Sequence, residues 1–239
     1  MGAPSLVRNL KLRQRIASLK VEWNALEWPY LRALRDGSLS REDFVETQLH
    51  FFAAVAHFSR PMAVLASRLP RPDLRLPLVE NVFDEHGRGE LGHGHERTFR
   101  LLLERLGADL SRVGRAHWPE VQAFNAALTG VSTFDSPLTG LAMFGVIEDL
   151  FSGISLELGR GIVSRGWLPA DKVAHYPTHA TLDEEHADGF YRQLDAPYET
   201  DARSASEVEQ GLLLGGHLFQ RLYEDLYRAR HRRDGAPGR

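Results

Sequence analysis

The chain has no cysteine among its 239 residues. That excludes disulfides, thiolate metal sites and cysteine nucleophiles, so any bound metal must be held by His, Asp or Glu. An excess of either charge is also missing. With 29 Lys and Arg against 32 Asp and Glu, the net charge is −3, which gives no electrostatic reason to expect nucleic acid or an anionic membrane as a partner. No run reads as long enough to span a membrane, and the N-terminus lacks the apolar core and cleavage site of a secretory leader, so cytoplasmic residence is expected. Sustained alternation, hairpin turns, internal repeats and low-complexity tracts are absent as well. The glycines from Gly87 to Gly94 follow no strand and carry no Lys-Ser/Thr, so they do not form a phosphate loop.

What the chain does have is helical periodicity. Trp23, Leu26, Tyr30 and Leu34 mark one stripe within a helix expected from about Leu6 to Arg35, ended by Asp36-Gly37. Ser40-Arg-Glu-Asp43 has capping-box form and opens a helix through Phe44, Phe51, Val55, Phe58, Met62 and Leu65, which Pro61 should kink. Helical stretches follow from Pro72 to about Asp84, from about Glu96 to Leu106, from Pro119 to about Thr129, from Pro137 to Arg165, from about Pro177 onward, and from Ala202 to about Arg232. The expected fold is one all-α domain over residues 1–239, with a candidate metal region at 80–190. Its basic tail, 228–239, reads as a solvated helix end.

The chemistry is concentrated in Tyr176-Pro-Thr-His-Ala-Thr-Leu-Asp-Glu-Glu-His186. On a helix advancing about 100° per residue, His179, Asp183 and His186 fall within about 60° of one another, so three metal-ligand types leave one face. Glu148 lies one turn from Phe144 and nearly one from Phe151, on a face that should be buried. An ionised carboxylate there costs several kcal/mol unless a cation, a metal or a proton neutralises it. Glu85 and His95 flank the run Glu85-His-Gly-Arg-Gly-Glu-Leu-Gly-His-Gly-His95, whose four glycines predict a break that turns both side chains inward. His93 competes with His95 and Asp84 with Glu85, and spacing alone does not choose. Glu46, His50 and His57 share another helical face, where satisfied side chains are the simpler reading.

Three carboxylates and three histidines on inward-facing helices suit a pair of iron or manganese ions rather than one. Phe51, Phe58, Phe144, Phe151 and Tyr176 are candidate walls of the pocket beside them, or plain core.

This pattern resembles the heme-oxygenase-like diiron oxidases, also called iron-containing redox enzymes. Their signature is similar to Asn81-Val-Phe-Asp84-Glu85-His-Gly87-Arg-Gly89 followed by His95, then a lone Glu148, then His179, Asp183 and His186, in that order. The resemblance favours Glu85 over Asp84 and His95 over His93. It implies a single seven-helix bundle of the heme-oxygenase type, often a homodimer. The six residues Glu85, His95, Glu148, His179, Asp183 and His186 would bind two ferrous ions, with dioxygen as co-substrate and an external electron donor as a further partner. Some relatives add a carboxylate from the second helix. This chain has no Asp or Glu between Glu46 and Asp73, which leaves His57 or water for that role.

The reactions of that family imply N-oxygenation or oxidative C–C cleavage or decarboxylation of a small, carboxylate-bearing, amino-acid-like metabolite in a biosynthetic pathway. Thiaminase-like proteins of the same fold need a cysteine, and true heme oxygenases need a histidine on the first helix, whereas the first histidine here is His50. Two other readings remain: a non-catalytic helical bundle that binds a small molecule, and a cofactorless enzyme of the TenA or pyrroloquinoline-quinone-synthase type.

Overall fold

The computed structural model describes residues 10–114, 118–173 and 175–233, with every side chain among them except those of residues 10 and 177–181. Nine α-helices and no strand occur among the described residues: α1 (Leu10–Trp23), α2 (Pro29–Asp36), α3 (Arg41–Arg68), α4 (Pro72–Glu85), α5 (His95–Arg105), α6 (Pro119–Phe134), α7 (Pro137–Ser164), α8 (His175–Thr200) and α9 (Ala202–Ala229). The expected seven becomes nine because two helices are broken. The first breaks at Asn24, which is left-handed at φ 43°, and restarts at Pro29 in the first turn of α2. Proline there has no N–H to lose and holds the residue before it extended. Leu26, placed on the apolar stripe by periodicity, consequently sits in a short 3-10 turn and is 43% exposed. The second break is the glycine run between α4 and α5.

Local chemistry sets most other ends. Ser40 accepts from the Asp43 N–H at 3.0 Å to start α3, and Ser136 accepts from the Leu138 N–H at 3.2 Å to start α7. α3 runs unbroken through Pro61. α8, which carries His179, Asp183 and His186, begins at His175 rather than Pro177, placing Pro177 in its first turn.

α7 is the central helix and is packed along its length by α8 and α9. Its approach to α9 depends on Gly211 and Gly215, where a Cβ would meet the Thr139 and Met143 carbonyl oxygens at 2.3 and 2.7 Å. On the other side α3 packs against α4, α5 and α6. An 18-residue window of α3 has a mean hydropathy of 1.2, long and apolar enough to cross a membrane by composition, so the expectation that no run qualifies is corrected. Its Phe44, Phe51, Phe52, Met62 and Leu65 are buried in the core shared with the other helices. Of the basic end, residues 228–233 are described, and the last three of these are exposed, as expected, but not free. Arg233 and His231 pair with Asp43 at 2.5 and 3.1 Å, and Arg232 grips Glu120 at 3.0 Å, tying the chain end to α3 and α6.

Candidate metal centre

The site lies where the last turn of α4 and the first of α5 meet α7 and α8. Asn81, Asp84 and Glu85 occupy one face of α4 at i, i+3 and i+4. Beyond them the chain folds back sharply. Gly87, Arg88 and Gly89 all have positive φ, and at Gly87 a Cβ would meet the backbone of Gly94 and His93 at 2.6 and 2.8 Å. Only glycine allows that approach. It brings the two ends of the run together, so that Glu85 Oε1 and His95 Nδ1 are 2.7 Å apart, both side chains under a tenth exposed. His93 is outside, three-quarters exposed beside Glu90.

α7 and α8 supply the other half. Single ligand atoms of Glu148, Asp183 and His186 all lie within 4.8 Å of one another. The Asn81 amide donates to Glu148 Oε1 at 2.7 Å. His186 shares Nε2 with Asp84 Oδ2 at 3.2 Å, which leaves Nδ1 3.9 Å from Glu148 Oε1. That Nδ1 is buried and has no hydrogen-bond partner among the described residues. Asp84 is fixed in turn by Arg88 at 2.6 Å. The helix path carries His179 one turn before Asp183, but its side chain lies outside the described residues.

The electrostatics are those of a site short of positive charge. Burial pushes the Glu148 carboxyl up to about 8, and Asp183 adds to this against the pull of His186 and the Asn81 amide. Asp183 is held well above the usual carboxylate range, by burial first and Glu85 second, even with a hydrogen bond from Glu148. For His95, burial alone would lower the pKa, but Glu85, Asp183 and Glu148 outweigh it and raise the group. Among the described side chains, three carboxylates thus share a buried space with two imidazoles, and burial favours the protonated form of Glu148 and Asp183. A divalent cation would replace those protons. Oxygen donors with imidazole and no sulfur suit iron, and the unpartnered His186 Nδ1 faces the carboxylates, so the residues fit the metal.

A cavity of about 40 Å³, room for about three waters, opens beside Glu85 and Glu148. Phe51, Phe58 and Phe151 line it, joined by Phe124 of α6 and Phe219 of α9. Of the five candidate aromatics, two take the core role instead. Phe144 is fully buried behind Phe58, with ring centroids 5.4 Å apart. Tyr176 donates to Gln48 Oε1 at 2.7 Å within the core. His57 does not take the place of a second-helix carboxylate either. It faces α6, with Nε2 2.9 Å from Thr129 Oγ1, while Ala54, Val55 and Phe58 are the α3 residues turned to the cavity.

Sequence reasoning assigned no role to Asn81 and set Asp84 aside. Their signal was the spacing within Asn81-x-x-Asp84-Glu85, which puts three polar side chains on one helical face.

A helical bundle with carboxylates and imidazoles buried between its central helices defines the class of protein, and known structures give its fold. A domain of unknown function with a heme-oxygenase-like fold from Shewanella denitrificans superposes with a TM-score of 0.71 at 17% identity, covering 94% of each chain. A TenA homologue from Pseudomonas syringae pv. tomato gives 0.75 at 16%, covering 95% of this chain and 98% of that one. A TenA homologue from Pyrococcus furiosus gives 0.66 at 16%, covering 90% and 98%. At such identities these define the heme-oxygenase-like fold and nothing finer. No curated protein matches the chain. The profile of the iron-containing redox enzymes matches residues 45–218, and the chain belongs to that family.

Proposed function

We propose that this protein is a non-heme diiron oxidoreductase, an oxidase or oxygenase that uses dioxygen on a small carboxylate-bearing, amino-acid-like metabolite in a biosynthetic pathway, by N-oxygenation or by oxidative C–C cleavage or decarboxylation. The observation that carries the reading is the buried cluster of Glu148, Asp183 and His186, with ligand atoms within 4.8 Å of one another, beside the Glu85–His95 pair.

Glu85, His95, Glu148, Asp183 and His186 would hold the iron, with His179 added by its position on α8. When bound, iron supplies the electrons and Lewis acidity for dioxygen chemistry that no side chain can perform. The protein's own residues do the rest. The Asn81 amide orients the Glu148 carboxyl, and Asp84 holds His186 so that Nδ1 faces the site. Phe51, Phe58 and Phe151 give the acid groups Glu85 and Glu148 an apolar cavity wall.

An anaerobic ferrous titration of metal-free protein, followed by mixing with oxygenated buffer, tests this. Binding of about two irons per chain with iron-dependent oxygen consumption is expected. No iron uptake sinks the reading, and turnover that survives a chelator would move the chain to a cofactorless enzyme.

A further inference from the structure

A second groove, of about 530 Å³, lies on the outer side of the site between α3, α4 and α5. Arg60, Arg97 and Arg100 line it, and among the described residues none of the three has an ion pair or hydrogen bond. Elsewhere arginines are mostly engaged: Arg13 with Asp188, Arg15 with Glu209, Arg112 with Glu46, Arg203 with Glu207 and Arg221 with Asp225. Acidic side chains outnumber basic ones in this chain, so three unpaired guanidinium groups in one hollow are not a shortage of partners.

Arg97 and Arg100 stand three residues apart on α5, on one face, where like charges repel unless an anion sits between them. The carboxylates bordering the groove are Glu96, exposed and without an ion pair among the described residues, and Glu85, which is bound to His95. The remaining lining is largely apolar, including Val55 and Leu91.

The groove and the inner cavity share Val55 and Glu85. The side chains of Val55 and Glu85 thus stand between a wide, cationic outer groove and a narrow, aromatic inner cavity, with the candidate metal ligand Glu85 facing both. We infer that this groove is the mouth of the site, where Arg60, Arg97 and Arg100 bind the carboxylate of an organic acid whose slender apolar body passes Val55 towards Phe58. Planar guanidinium groups match a carboxylate with paired hydrogen bonds. The inner cavity of about 40 Å³ has room for about three water-sized groups, so it admits only the unbranched end of such a body and excludes a bulky ring, while the rest of the chain lies in the groove. The assignment rests on the proposed function for the chemistry at Glu85, but not for the binding itself, and of the proposed reactions it favours oxidative C–C cleavage, since a carboxylate held by the outer arginines is not the group that reaches the inner ligands.

The test is calorimetric titration of the full chain with sodium octanoate, with chelator and separately with ferrous iron under anaerobic conditions. Octanamide serves as the uncharged probe and inorganic phosphate as the anion without a chain. Octanoate is expected to bind in both states and octanamide more weakly. The R97Q/R100Q double variant should lose at least about tenfold in octanoate affinity and keep its octanamide affinity and thermal unfolding midpoint. Arg60 also borders the groove between α3 and α6, so R60Q is a third arm, expected to weaken octanoate but not octanamide. Equal octanoate affinity in wild type and double variant overturns the inference, as does phosphate binding as tightly as octanoate. If iron fails to bind but octanoate binds through these arginines, the metal reading falls and the groove stands. If iron binds and octanoate does not, the groove alone falls.

Discussion

Glu46 and Glu148 are equally hidden, each 3% exposed, yet their surroundings are opposite. Arg112 holds Glu46, with Nη1 2.8 Å from Oε2 and Nη2 on Oε1, and His50 lies 3.3 Å away, stacked on Trp118. Burial would push the Glu46 carboxyl up, but Arg112 and His50 outweigh it and hold the group below its ordinary value. Glu148 has an amide and a second carboxyl instead of a guanidinium, and it stays high. One buried acid is neutralised by the fold and ties α3 to the segment before α6. The other has no guanidinium or ammonium partner among the described residues, only the His186 imidazole at 3.9 Å. Burial alone therefore does not mark a functional carboxylate. A buried carboxylate without a cation does.

The largest effect that would break this contrast comes from removing the cation at Glu46. Arg112→Met leaves a buried acid without its main partner and should cost about 3 kcal/mol in urea unfolding, the low end for a buried pair because Arg112 is 29% exposed. Adding Glu46→Gln should recover most of it. A loss below about 1 kcal/mol would put the pair with ordinary surface bridges and remove the contrast.

A smaller effect is expected at Asp84. Outer carboxylates that orient a metal-bound histidine typically account for about ten- to hundredfold in affinity, or about 1.4–2.7 kcal/mol. Asp84→Ala should weaken ferrous binding by that factor in chelator competition, with the unfolding midpoint little changed. Unaltered iron affinity would show that Asp84 serves Arg88 rather than His186.

How far these features were legible follows from the range over which each is encoded. Helix starts at Ser40 and Ser136, and the break at the glycines, depend on residues within one turn, and local pattern locates them. The break at Asn24 was missed because the apolar stripe continues in register through Leu26, although Pro29 was a usable sign. The face shared by Asp183 and His186 follows from helical spacing. Which of Asp84 and Glu85 reaches which histidine depends on the path of the fold-back, and no spacing rule contains that path. The Glu46–Arg112 pair joins residues 66 apart and leaves no local trace. The choice between His57 and water was left open for the same reason: whether a face of α3 meets α6 or the cavity is a matter of packing, and the hydrogen bond to Thr129 fits the simpler reading of His57 as a satisfied side chain.

The smallest effect concerns Glu148 in metal-free protein. An unfolded glutamate loses its proton near 4.5, whereas here the native carboxyl keeps it up to about 8. Between those values the native state binds more protons than the unfolded state, so stability falls as pH rises, by at most ~1.4 kcal/mol per pH unit for one independent group. Asp183 competes for the same proton, which makes the slope shallower. Glu46 has the opposite sign: held low, it contributes stability that is present above its unfolded value and lost as pH falls through its folded one. With chelator present, Glu148→Gln should match wild type near pH 4.5 and gain on it steadily towards about pH 8, then level off. A difference that stays flat across that window would mean that Glu148 is ionised in the fold and already has a cation among the protein's own residues, as Glu46 does.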